Sequence, residues 1–285
     1  MVTVFALAAA LLYGSADFLG GTAARRAHTL AVVSISAPAG AVIALAAALV
    51  AGGPARAAGL GWAVAGGAAG GAGLIAFYHG LASCRMSVVA PVSALVSTLL
   101  PVGVAIAAGE RLGLTTAAGA LVCVAAIALV SLEKRPGAEA GAGSRGLAWR
   151  SLAYGGGSGF AFGVFFLFLR NAGESGVFWP VATARLTGTA VMLGAAAWLV
   201  GRRGWPEMPP RALGIALASG VVDAFANVCY VVATRAGMFG MAVILTSLYP
   251  GITVLLARLV HGERMRMVQR AGLLLAAIGV GLVTV

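Results

Sequence analysis

The chain is 285 residues long, with 61% hydrophobic and 9% charged residues, a mean hydropathy of +1.00 and a formal net charge of +11. A soluble domain carries roughly a quarter of its residues as charges to solvate its surface, so this composition excludes one and makes lipid the solvent for most of the molecule. The positive charges are spread through short connections rather than gathered on one basic face, which argues for membrane orientation and against a nucleic-acid partner.

Runs of about 17 to 25 apolar residues are long enough to cross a hydrocarbon core of about 30 Å. Ten occur, at residues 3–22, 30–51, 59–82, 87–108, 113–132, 151–170, 177–200, 212–234, 238–259 and 267–285. The opening "MVTVFALAAALLYG" has no basic segment ahead of it and runs into Asp17 and Phe18 without a cleavage site, so it reads as the first span. Tyr13 and Asp17 lie four apart in it, with Asp17 nearer the membrane edge and solvated there. Span 3 carries Gly66, Gly67, Gly70 and Gly71, and small residues at intervals of four let helix backbones approach closely. In span 4, Ser93 and Ser97 share a face with Pro101. The stretch 133–150, "EKRPGAEAGAGSRGLAWR", is rich in Gly and Ala, charged and interrupted by Pro136, and reads as a linker between a first half, 1–132, and a second half, 151–285. Span 6 repeats the glycine spacing at Gly155, Gly159 and Gly163 and adds Phe160, Phe162, Phe165, Phe166 and Phe168. The face with Phe162 and Phe166 suits ordinary packing or an apolar or aromatic substrate.

Span 8 carries the clearest chemical signal. Ser219, Asp223 and Asn227 are four apart and Tyr230 follows three later, placing hydroxyl, carboxylate, amide and phenol along one helical face. A carboxylate at the centre of a spanning helix costs about 2.5 to 3.5 kcal/mol, so this stripe has to face protein or a wet cavity. Arg185 in span 7 enters from the same membrane side and lies within about 6 Å of Asp223 in depth, at 1.5 Å rise per residue. Together they read as a static salt bridge or as a substrate or proton site, the second being favoured because ionisable groups at membrane depth mark pathways. A water-lined cavity bounded by spans 3, 4, 8 and 9 would then expose Tyr230, Asn227, Ser93 and Ser97.

A shift of 153 residues superposes 59–132 on 212–285 without a gap, pairing Gly67 with Gly220, Glu110 with Glu263 and Gly119 with Gly272. Five spans per half, an odd number, make the halves inverted repeats, an architecture of transporters. The doubled block of a Pro-bearing span, Gly-Glu-Arg and a Gly-bearing final span, together with "LLYGSADFLGG" in span 1, resembles the EamA-type branch of the drug/metabolite transporter superfamily over almost the whole chain. The resemblance implies ten transmembrane helices and a secondary transporter that exports or exchanges small metabolites, such as amino acids or related amphipathic compounds, at the cytoplasmic membrane. One departure is local. Pro250 lies thirteen residues before Glu263, whereas Pro101 lies nine before Glu110 and Ser97 takes the matching place, so the two proline kinks are expected about one turn apart.

Several features carry plainer readings. Glu110 and Glu263 are expected to favour the N-terminal dipole of the helix that follows each. His28, His79 and His261 form no ligand pair, and Cys84, Cys123 and Cys229 lack CxxC spacing, so no metal or cofactor is called for. With no P-loop the energy source is a gradient, and proton coupling through Asp223 is the natural form. The candidate substrate site is Asp223, Asn227, Tyr230, Ser219, Arg185, Ser93, Ser97, Tyr13 and Phe162. An intramembrane enzyme lacks a converging nucleophile and base, and a non-transporting packing partner leaves the polar stripe unexplained. Apart from Arg185, fourteen Lys/Arg fall in the odd connections and four in the even ones, which puts both termini outside, while the family resemblance suggests inside. Monomer and homodimer both stay open.

Overall fold

The computed structural model describes residues 1–53, 57–84, 86–110, 113–131, 144–173, 176–200, 208–261 and 267–284. These form eleven helices and no strand. They are α1 (Val2–Ala24), α2 (Thr29–Ala51), α3 (Ala57–Ser83), α4 (Met86–Ala107), α5 (Leu114–Ser131), α6 (Ser144–Gly173), α7 (Phe178–Val200), α8 (Pro210–Arg235), α9 (Phe239–Thr246), α10 (Tyr249–His261) and α11 (Met267–Thr284). Six stretches among them are long and apolar enough to cross a bilayer, and three further apolar helices are shorter. Large apolar side chains such as Leu11, Val42, Trp62, Phe160, Phe225 and Leu259 point outward. A soluble protein would not leave so continuous an apolar exterior, and a lipid solvent requires it.

Eight of the ten predicted spans coincide with one helix each. The sixth is longer: α6 begins at Ser144, so residues 144–150, read above with the linker, are its first turns. The ninth is broken into α9 and α10. Pro250 has no N–H to give the Thr246 carbonyl, and the chain passes the gap with bonds of three-residue spacing, from Leu248 N–H to Leu245 at 3.3 Å and from Gly251 N–H to Leu248 at 3.0 Å. The Ser247 hydroxyl donates to the Val243 carbonyl at 2.8 Å. In the first half α4 stays a single helix through Pro101, so the asymmetry expected from the prolines takes the form of one broken helix and one continuous one.

The halves interlock rather than sitting side by side. α1 packs on α8 as α6 packs on α3; α2 packs on α8 as α7 packs on α3; α2 meets α7, and α5 meets α11. Every one of these pairings crosses between the halves or maps onto its counterpart when they are exchanged. Glycine makes the closest crossings possible. An added Cβ at Gly67 would run into the Ala184 carbonyl of α7, and at Gly40 it would stand 2.6 Å from the Gly220 carbonyl of α8. Gly159 meets the Ser93 carbonyl of α4 at 2.5 Å in the same sense. In lipid no hydrophobic force drives helices together, so such backbone-to-backbone contact, with dispersion and interhelical hydrogen bonds, is what holds the bundle. Ala makes up most of the fully buried core for the same reason. Interhelical bonds tie α1 to α8, α10 and α9, from Ser219 Oγ to the Ala16 carbonyl at 2.8 Å, from Thr253 Oγ1 to the Gly14 carbonyl at 3.1 Å and from Thr246 Oγ1 to the Ala6 carbonyl at 3.4 Å.

Candidate functional site

The crossing of α1, α7 and α8 sets the site's position, because the small residues there bring polar side chains from three helices to one depth. Arg185 of α7 forms an ion pair with the Asp223 carboxylate of α8, and its Nη2 also donates to the Asp223 carbonyl at 3.0 Å. The two side chains remain 17% and 29% exposed. Asn227, one turn on, donates from Nδ2 to the same carbonyl at 2.7 Å. One backbone oxygen therefore anchors both the guanidinium and the amide, orienting them without using all their bonding capacity. Among the described residues, Arg185 Nε, Asn227 Oδ1, the Tyr13 hydroxyl and the Thr189 hydroxyl are buried without a hydrogen-bond partner. Buried polar groups are rarely left so, and four of them on three adjoining helices mark a place equipped to bind something polar.

Aromatic rings close around these groups. Tyr13 meets Phe166 edge-on at 6.1 Å and Tyr249 at 6.2 Å, and Phe166 lies 4.9 Å from the Tyr230 ring. The Tyr230 hydroxyl donates to the Phe166 carbonyl at 3.2 Å, fixing α8 against α6. Tyr13 is within electrostatic reach of Asp223 and Arg185, and Asp17 within that of Asp223. The Asp17 side chain lies at the surface of the bundle about two turns before the end of α1 at Ala24.

Of the nine residues singled out from the sequence, the structure gathers Tyr13, Arg185, Asp223, Asn227 and Tyr230. Ser219 belongs to the α1–α8 packing through Ala16. Ser93 accepts from Ser158 at 3.0 Å between α4 and α6, and Ser97 donates to the Ala94 carbonyl of its own helix at 3.0 Å. Phe162 lies edge-on to Phe77 at 6.0 Å, away from the ion pair. The expected wet cavity is absent at these positions: Tyr230, Asn227, Ser93 and Ser97 are all buried. Sequence reasoning missed Tyr249, which heads α10; the signal was Pro250 at the second position of that helix, since proline is tolerated in a helix's first turn but not in its interior. It also misplaced Glu110. That carboxylate accepts from the Gly240 N–H, in the first turn of α9, at 2.9 and 3.2 Å. The helix dipole it meets is thus in the opposite half, because the chain turns at Gly109 (φ 91°) and aims the side chain away from α5. Glu263 lies outside the described residues. His28 proves to be a cap, its Nδ1 accepting from Leu30 N–H at 3.3 Å at the start of α2, and His79 stacks on Tyr154 at 5.1 Å.

Residues 149–285 match the EamA-like transporter family. The second half belongs to that family, which places the chain in the drug/metabolite transporter superfamily. A protein of known crystal structure is similar over 99% of this chain and 96% of its own, with a TM-score of 0.74 and 16% sequence identity. At that identity the likeness establishes the fold alone. No curated protein is a significant sequence match. Members of the family are membrane transporters rather than enzymes, and the multi-pass helical fold seen in this chain agrees with that. In such a setting the Arg185–Asp223 pair and its ring of aromatics stand out as the one charged cluster the described residues place deep between helices.

Proposed function

We propose that the protein is a secondary carrier that exports or exchanges small amphipathic metabolites, amino acids or related compounds, across the cytoplasmic membrane, with Asp223 carrying the coupling proton. The observation that supports this reading is the ion pair itself. A guanidinium and a carboxylate at membrane depth, only partly enclosed and flanked by unsatisfied Tyr, Asn and Thr groups, suit a ligand with both charged and apolar parts. A substrate whose carboxylate takes Arg185 and whose ammonium takes the deprotonated Asp223 carboxylate would be released when Asp223 takes up a proton, so proton and substrate occupy the site in turn, as export against proton entry requires. Ion and substrate then bias the same two-state equilibrium, which is what coupling requires. The aromatic walls from Tyr13, Phe166, Tyr230 and Tyr249 would receive the apolar part. Inverted repeats supply the symmetry by which one bundle rocks against the other around a fixed site.

The test is flux in proteoliposomes with and without an imposed pH difference, across a panel of labelled amino acids and related metabolites. Asp223→Asn should insert and fold yet lose pH-driven flux, keeping exchange between substrate on the two sides. Full pH-driven flux in Asp223→Asn would make the carboxylate structural and end the coupling mechanism.

A further inference from the structure

The first turn of α9 is held from two sides. Glu110, from the end of the α4 segment, receives the Gly240 N–H on both carboxylate oxygens, at 2.9 and 3.2 Å. That N–H is one of the four donors every helix start leaves unmet, and α9 has no acidic residue of its own in its first turn. Gly240 makes the approach possible, since a Cβ there would stand 3.1 Å from Glu110 Oε1. Beside it the Arg170 guanidinium of α6 lies 4.5 Å above the Phe239 ring, within electrostatic reach of Tyr230. The other end of α9 is the break at Ser247 and Leu248. The first residue past the break, Tyr249, packs on Tyr13. An eight-residue helix is thus hinged where it meets the site and fastened by charged side chains where it meets the membrane face.

We propose that α9 is a hinged gate over one end of the transport path and that Glu110 is its latch. The break lowers the resistance to bending between α9 and α10, because Pro250 has no N–H for the Thr246 carbonyl and the chain crosses on bonds of three-residue spacing from Leu248 and Gly251. The latch makes the closed position definite, since a carboxylate facing a helix start is worth more than a neutral contact and is lost as a unit when the turn moves away. Occupancy of the site is sensed at the hinge: a ligand that displaces the Tyr249 ring from Tyr13 shifts the first residue of α10 and with it the direction in which α9 leaves. This inference draws its purpose from the transport reading, but its geometry and its test do not depend on any substrate.

The experiment places spin labels at Met238→Cys, just ahead of α9, and Leu114→Cys, at the exposed start of α5, in a background with Cys84, Cys123 and Cys229 replaced, and measures the distance distribution without substrate. The otherwise unaltered protein should show one predominant short population. Glu110→Ala should raise the ratio of long to short by about tenfold, in keeping with loss of one charge-assisted bond. Glu110→Gln should fall between, because an amide oxygen still accepts from Gly240 without the charge. Thermal unfolding of each variant separates gating from loss of fold. Distributions unchanged in both folded variants would overturn the latch, as would a Glu110→Ala protein that fails to fold while Glu110→Gln keeps the short population unaltered. A protein that moves no metabolite yet shows the predicted distances would count against the carrier reading and leave the gate standing.

Discussion

Cutting the Arg185–Asp223 pair from each side should give unequal losses, and the inequality follows from what each survivor can do. In Asp223→Asn the guanidinium keeps its bond to the 223 carbonyl, but its charge has lost its counterion and cannot be shed, because arginine is not deprotonated in proteins. In Arg185→Gln the stranded carboxylate is only partly enclosed and can be neutralised by a proton. Removing one partner of a fully buried pair costs about 3 to 5 kcal/mol and of an exposed pair about 0 to 1. With side chains 17% and 29% exposed, the Asp223→Asn loss belongs between those ranges, at about 2 to 3 kcal/mol. The Arg185→Gln loss should be about 1 kcal/mol smaller. The double variant has no stranded charge, so it should be no less stable than Arg185→Gln, giving a coupling energy of at least about 2 to 3 kcal/mol. Unfolding in detergent micelles by a graded denaturant, followed by helical signal, measures all four proteins. Additive losses, with coupling below about 0.5 kcal/mol, would refute the view that the two charges depend on one another. So would a larger loss in Arg185→Gln than in Asp223→Asn.

Gly67→Ala should destabilise by about 1 to 3 kcal/mol in the same assay, because its Cβ meets the Ala184 backbone, whereas Gly61→Ala, with open space at that point, should be neutral or slightly stabilising. Tyr13→Phe should leave the unfolding midpoint unchanged, since its hydroxyl has no protein partner among the described residues, and should lower flux; unchanged flux would take the hydroxyl out of the site. Ser158→Ala should cost about 0.6 kcal/mol, the typical worth of an interhelical bond in a membrane protein, and a loss above about 2 kcal/mol would show that Ser93 and Ser158 hold more than each other.

Most of the helices were legible because lipid imposes two rules that sequence expresses directly: a length of apolar residues and no unpaired backbone within it. The glycine positions were legible for the same reason, since close approach leaves a spacing of four. The ion pair was legible because two charges at matching depth have few alternatives to meeting. Serines were not. A hydroxyl in a span satisfies itself on a carbonyl of its own helix or of a neighbour, as Ser97 and Ser219 do, so its presence on a polar-looking face does not reveal what it faces. Nor was the destination of Glu110 legible. An acid just ahead of a helix points by default to that helix, and only the interlocking of the halves brings α9 nearer than α5.

That interlocking also explains why the site is off the centre of the repeat. Under the shift that relates the halves, Asp223, Asn227 and Tyr230 correspond to Gly70, Leu74 and Phe77. Small and apolar side chains thus stand in the first half where the second is polar, and they leave no open space: a Cβ at Gly70 would stand 3.0 Å from the Phe165 ring, and Phe77 packs on Phe162. Phenylalanines of α6 thus seal the position equivalent to the site, while Tyr13 of α1 leaves a hydroxyl unpaired at the site itself. The glycine crossings are shared by the two halves, Gly67 on α7 and Gly220 on α2, and these are the contacts that have to slide if the halves rock. Motion is therefore a property of what the repeats have in common. Chemistry is a property of where they differ, and for a carrier of the proposed kind the charged pair that the described residues place between helices would be the place to bind and the break at Pro250 the place to swing.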